Sequence, residues 1–181
     1  YAMLRSLVGS EMCIRDRYKA ADIASGLVKK DYSVTVVMSD QAKDFITPLT
    51  LQVISKNPVF TGFQDEEQNW RPGHIELADE SDLILVAPAT ANIISKFANG
   101  IADDPLTSIY LATLSPVVIA PAMNGKMWNH PATQENVDKL ISRGVKFIGP
   151  DKGMLACGYE GIGRLWPVEG IIDSVSELMN S

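Results

Sequence analysis

The chain has 181 residues, 46% of them apolar and 21% charged, with a formal net charge of −6. That length suits one domain with a real core, and the composition excludes a disordered chain. No lysine and arginine cluster invites a nucleic-acid backbone, and no apolar stretch of roughly 18 residues or more offers a membrane span. Residues 1–17, YAMLRSLVGSEMCIRDR, have no clean period of two and no capping signal ahead of a helix. They resemble a translated adaptor, so they are set aside as foreign, leaving residues 18–181 as the domain.

From Tyr18 the pattern is orderly. Ala20, Ile23, Ala24, Leu27 and Val28 predict a helix over 18–30. Residues 34–38 are a buried β-branched strand. Residues 41–55 read as helix interrupted at Pro48, with Thr47 capping the new start. An irregular polar connection covers 56–72, and 74–78 is a short helix. Residues 83–87 form a continuous apolar strand, too uniform for a sheet that faces solvent. Helices follow at 90–99 and 107–113, then a strand at 117–120. A helix over 131–143 is capped near Asn129 and stopped by Gly144. A strand at 146–148, a long glycine-containing loop at 150–167 and a helix at 170–179 complete the chain. Strands alternating with helices imply a parallel sheet covered on both faces.

Such sheets bind ligands beyond the carboxyl ends of their strands, so the informative residues lie there. Ser39 follows the first strand, APATAN (87–92) the second and APAMN (120–124) the third. Small residues before a helix suit a phosphate or a flat ring, although Thr90 reads equally well as a plain N-cap. Asn124 offers a donor and an acceptor, or caps its own turn. Met123 and Met127 can pack on an aromatic ring. His74 can act as acid, base or anion partner, or be structural; His130, beside Pro131, reads as structural. Cys157 lies in a glycine-rich stretch that suits a flap, or is a small apolar filler. With Cys13 it makes too few cysteines for a disulfide framework, and neither has metal-ligand spacing; a reducing cytoplasm fits.

ITPLTLQ (46–52), GHIELA (73–78), DLILVAPATAN (82–92), NGIADD (99–104), PAMNGKMW (121–128) and LACGYEGIGR (155–164) together resemble the homo-oligomeric flavin-containing cysteine decarboxylases. The likeness is strongest to the branch acting on phosphopantothenoylcysteine in coenzyme A biosynthesis. It implies a flavodoxin-like doubly wound fold with three α/β/α layers, a flavin mononucleotide (FMN) cofactor, and assembly as trimers or multiples of trimers. A synthetase partner, fused or separate, is also implied. His74 matches the family's active-site histidine, Asn124 the asparagine that holds the substrate carboxylate, and Cys157 the flap cysteine that reduces or protonates the intermediate. Ala156, Gly158 and Met127 match substrate-binding positions. Ser39, Pro88, Ala89, Thr90, Ala91, Asn92, Ala122 and Met123 match the flavin lining. The alternatives are a sibling acting on the C-terminal cysteine of a peptide, and a non-catalytic flavin-binding or regulatory relative. One departure stands out: of the family's first strand and glycine-rich turn, only Tyr18 and Lys19 remain.

Overall fold

Alternation along buried strands builds two cores, one on each face of a sheet. The computed structural model describes residues 3–8 (backbone alone), 18–62, 73–154 and 160–180. Along the chain run β1 (Met3–Val8), α1 (Lys19–Lys29), β2 (Ser33–Met38), a 3-10 turn (Asp40–Asp44), α2 (Pro48–Ser55), β3 (Val59–Phe60), α3 (Gly73–Glu80) and β4 (Leu83–Ala89). Then come α4 (Ala91–Asn99), α5 (Pro105–Ala112), β5 (Val117–Pro121), α6 (Gly125–Trp128), α7 (Pro131–Ser142), β6 (Lys146–Phe147), β7 (Asp151–Met154), β8 (Glu160–Arg164) and α8 (Val168–Met179).

β4 sends Leu83, Leu85 and Ala87 into one core and Ile84, Val86 and Ala89 into the other; β5 divides Val118 and Ala120 from Val117 and Ile119 in the same way. Helices α1, α2 and α8 close the first core through Ile23, Leu27, Leu51, Ile171 and Val175. Helices α3, α4, α5 and α7 close the second through Leu77, Ile94, Phe97, Leu106 and Leu140. Each such side chain, fully removed from water, contributes roughly 1.5–3 kcal/mol. The main sheet has the order β3-β2-β1-β4-β5-β6, and every neighbouring pair is parallel. Leaving aside the two-residue edge strand β3, this is the flavodoxin-like order, with its switch point between β1 and β4. The three-layer expectation therefore holds.

Four local expectations are corrected. Met3–Val8, set aside with residues 1–17, is a strand paired along both edges: Leu4 lies beside Val34 and Leu83, and Leu7 beside Val37 and Val86. A central strand is favoured because it satisfies the backbone groups of both neighbours, whatever its side-chain period. The 150–167 loop contains the antiparallel hairpin β7–β8. Its residues are only half-buried or exposed, apart from Gly163, so no alternation announced it. The N-cap of α7 is His130, whose Nδ1 accepts the Ala132 N–H at 3.2 Å, rather than Asn129. The 56–72 connection contains β3, and residues 63–72 lie outside the described residues. The Thr47 cap is as anticipated: its Oγ1 accepts the Thr50 N–H at 3.2 Å, with Pro48 at the first helical position.

Candidate functional site

The carboxyl ends of β2, β4 and β5 open onto one edge of the sheet. Beyond β2, Ser39 begins the 3-10 turn with its backbone extended. Beyond β4, Thr90 caps α4, its Oγ1 accepting the Ile93 N–H at 3.3 Å and its carbonyl the Ile94 N–H at 3.1 Å. By helix geometry the N–H groups of Ala91 and Asn92 then have no partner within the helix, and they sit at its positive end. Ser39, Gln41, Thr90, Asn92, Ile93, Lys96 and Asp104 line a common cavity. The Ser39 Oγ is buried there without a hydrogen-bond partner among the described residues. A buried hydroxyl left unpaired costs free energy, so this atom suits a polar ligand group.

Pro88, Ala89 and Ala122 are closed off from solvent, and form a floor to this edge rather than its contact surface. The Ala122 N–H donates to the Ala89 carbonyl at 2.9 Å, which ties the end of β5 to that of β4. Met123 is fully buried in the second core, so its thioether is committed to packing. Its N–H donates to Gly163 on β8 at 2.9 Å. Gly163 has φ +135, and a Cβ there would collide with the Met123 carbonyl, so only glycine allows this approach. Asn124 caps α6, its Oδ1 accepting the Lys126 N–H at 2.9 Å. Met127, on α6, is half-buried against the second core.

His74 is half-buried in the first turn of α3. The other end of that helix is fastened near the start of β5: the Thr113 hydroxyl donates to the Ala78 carbonyl at 3.2 Å, and Ser115 donates to the Ser81 carbonyl. Eight residues of helix span about 12 Å, so His74 lies toward the carboxyl edge of the sheet, with Ser39, Thr90 and Asn124. Ala156, Cys157 and Gly158 lie outside the described residues, between the two strands of the β7–β8 hairpin.

The sequence reading assigned no role to Lys96. Its Nζ bonds both oxygens of Asp103, at 2.7 and 2.9 Å, and approaches Asp104 at 3.5 Å. Burial alone would lower the ammonium pKa, but the two carboxylates outweigh it and hold Lys96 above its ordinary value. The Lys96 hydrogen bond in turn holds Asp103 below the usual carboxylate range. With its charge already matched, Lys96 is a poor partner for a phosphate. The signal was present in NGIADD, whose paired acids sit where the helix before them turns back.

The flavoprotein family profile matches residues 15–180. The chain belongs to the flavoprotein family. It is 49% identical, over 155 residues, to the coenzyme A biosynthesis bifunctional protein CoaBC of Bacillus subtilis, an alignment covering 86% of this chain and 38% of the relative. The chain thus spans about two-fifths of the length of the bifunctional relatives it matches. A second relative, named probable phosphopantothenoylcysteine decarboxylase, from Streptococcus mutans, is 46% identical over 162 residues, with 88% of this chain and 90% of the relative covered. Among solved structures, a cysteine-to-serine mutant of PPC decarboxylase complexed with pantothenoylaminoethenethiol superposes with a TM-score of 0.85 at 28% identity, covering 99% of this chain and 100% of that one. The FMN-dependent cysteine decarboxylase SpaF also gives 0.85 at 28% identity, with 99% and 98% covered.

Proposed function

We propose that the chain is an FMN-dependent decarboxylase acting on phosphopantothenoylcysteine and yielding phosphopantetheine. The observation that carries this reading is the convergence of Ser39, Thr90 and Asn92 on one cavity, in a chain 46% identical to a relative named probable phosphopantothenoylcysteine decarboxylase and 49% identical to a bifunctional protein of coenzyme A biosynthesis. The cavity is about 10 Å³, the space of a single polar group, so it suits one end of the cofactor: it offers a buried hydroxyl with no partner among the described residues and a helix N-terminus that favours negative charge.

A carboxylate beside a carbon without an electron sink loses CO2 very slowly. Ser39, Thr90, Ala91 and Asn92 would hold the flavin, and its two-electron chemistry would make that sink available as a thiocarbonyl at the thiol-bearing carbon and would later give the two electrons back to the product. The residues of the chain do the rest. The Asn124 amide holds the carboxylate so that the breaking bond lines up with the thiocarbonyl. CO2 departs with its electron pair left on carbon, and the sulfur takes the charge as an enethiolate. Cys157 supplies a proton as the enethiolate is reduced, and His74 acts on the substrate rather than on the cofactor. Met127, Ala156 and Gly158 line the substrate. Assembly as a homotrimer or a multiple of trimers, a synthetase partner and a cytoplasmic setting belong to the same reading.

The ultraviolet–visible spectrum of the purified protein tests the cofactor. CO2 release from phosphopantothenoylcysteine and from a peptide ending in cysteine tests the substrate. Preference for the peptide would replace this reading with that of the sibling enzyme, and a colourless protein that binds no added FMN would end both.

A further inference from the structure

The β7–β8 hairpin stands apart from the main sheet, and an isolated two-stranded hairpin is marginal in water. Its order must come from what its stem touches. On β8, Gly163 is fastened to the Met123 N–H. One residue on, the Arg164 guanidinium pairs with the carboxylate of Asp151, its register partner on β7. A Cβ at Gly153 would stand 3.0–3.3 Å from Nη1, Cζ and Nε of Arg164, so the guanidinium lies over bare backbone. Asp151 is held below the ordinary carboxylate range, chiefly by the Arg164 hydrogen bond, and Lys19 in the first turn of α1 adds its positive charge to the same effect. The Asp151–Arg164 pair thus ties the two strands of the stem together, while Gly163 joins the stem to the Asn124 loop.

We infer that Arg164 is a positioning residue: its pairing with Asp151 over Gly153 fixes the register of the hairpin whose connecting residues include Cys157. The inference rests on the proposed reaction for its chemical consequence, though not for its structural one. The pair is partly exposed, with side chains 40% and 25% accessible for Arg164 and Asp151, so it adds little to global stability. Its effect is local, on the hairpin stem. Loosening the stem would impair the later protonation and let the enethiol escape, with dissolved dioxygen taking up the two electrons that the saturated product would have received.

Two variants test this in the full chain. Arg164→Gln removes the charge, and Gly153→Val keeps it but fills the space the guanidinium occupies. Amide hydrogen exchange across β7 and β8, without substrate, should quicken about two- to fivefold in both, the range an exposed ion pair gives, with the melting temperature nearly unchanged. Arg164→Lys should recover part of the protection. In the flavin-loaded enzyme under air, the ratio of enethiol to saturated thiol should rise by a similar factor. Unchanged exchange in both variants would overturn the inference, as would faster exchange with an unchanged product ratio. A parent that releases no CO2 would refute the proposed reaction instead, and the exchange measurement would still decide the positioning.

Discussion

At the scale of single residues, Ser39 separates folding from binding. Its hydroxyl is buried and has no partner among the described residues, so removing it relieves a desolvation cost. Ser39→Ala is expected to leave the melting temperature of the apoprotein unchanged or slightly raised. The same change should weaken FMN binding by about two- to tenfold, the worth of one neutral hydrogen bond. Parallel thermal melts and fluorescence titrations read the two effects separately; a destabilised apoprotein with unaltered affinity would assign Ser39 to the fold alone. Cys157 makes a different separation. In Cys157→Ser, assayed under air so that dioxygen takes the two electrons not returned to product, CO2 release is expected to continue while the enethiol accumulates, because only the proton donor has gone. Mass spectrometry of the product decides it, and normal yields of saturated thiol would remove the role from Cys157.

At the scale of elements, the α4–α5 connection shows how charge supports geometry. Lys96 binds Asp103, and Asp104 caps α5 by accepting the Thr107 N–H at 2.8 Å. The folded pKa of Asp103 is depressed below its ordinary 3.8, so its contribution to stability is present above that value and is lost as pH falls through the depressed one. Lys96 is raised above 10.5, so its contribution is present below that value and is lost as pH rises through the raised one. Asp103→Asn should therefore be slightly less stable than the parent at neutral pH and converge with it in acid. Denaturant melts across pH check this, and a difference that grows in acid would contradict it. The effect is small because the Asp103 side chain is 55% accessible. Elements with a one-sided or fully buried pattern were legible in the sequence: the apolar run 83–87, which the fold extends to Ala89, and the helix at 90–99 followed from burial and periodicity, whereas the left-handed Gly100 that ends that helix is seen only in the fold. The β7–β8 hairpin was not, since Asp151, Arg164 and Gly163 hold it by a long-range pair and a backbone approach that leave no period. Likewise Ser39, Thr90 and Asn124 could be named from their places after strands, but the occupation of Lys96 by Asp103 and Asp104 required the fold.

At the scale of the whole molecule, the first strand and the residues after it have different consequences. β1 lies at the switch point, bonded to β2 and β4, so the main sheet is continuous through it. No neighbour of β1 is left with unpaired strand edges on that side, so a version carrying the family's glycine-rich turn before Tyr18 should unfold at a similar temperature to this chain. Affinity is another matter. A glycine-rich turn lets backbone N–H groups approach a phosphate, and hydrogen bonds to a charged group are worth roughly 1.5–3 kcal/mol each. Losing one costs about a factor of ten or more in affinity, since about 1.4 kcal/mol is tenfold. Residues 9–17 lie outside the described residues, and their sequence offers Arg15 and Arg17 as substitute phosphate partners. Long side chains lose rotamer freedom when they order, so they recover only part of the loss. This chain is therefore expected to bind FMN at least about tenfold more weakly than the version with the turn. Quenching of flavin fluorescence on titrating both apoproteins gives the comparison. Equal dissociation constants would mean that residues 9–17 rebuild the phosphate site with groups of their own, and that setting them aside as foreign misjudged their chemistry as well as the place of β1 in the fold.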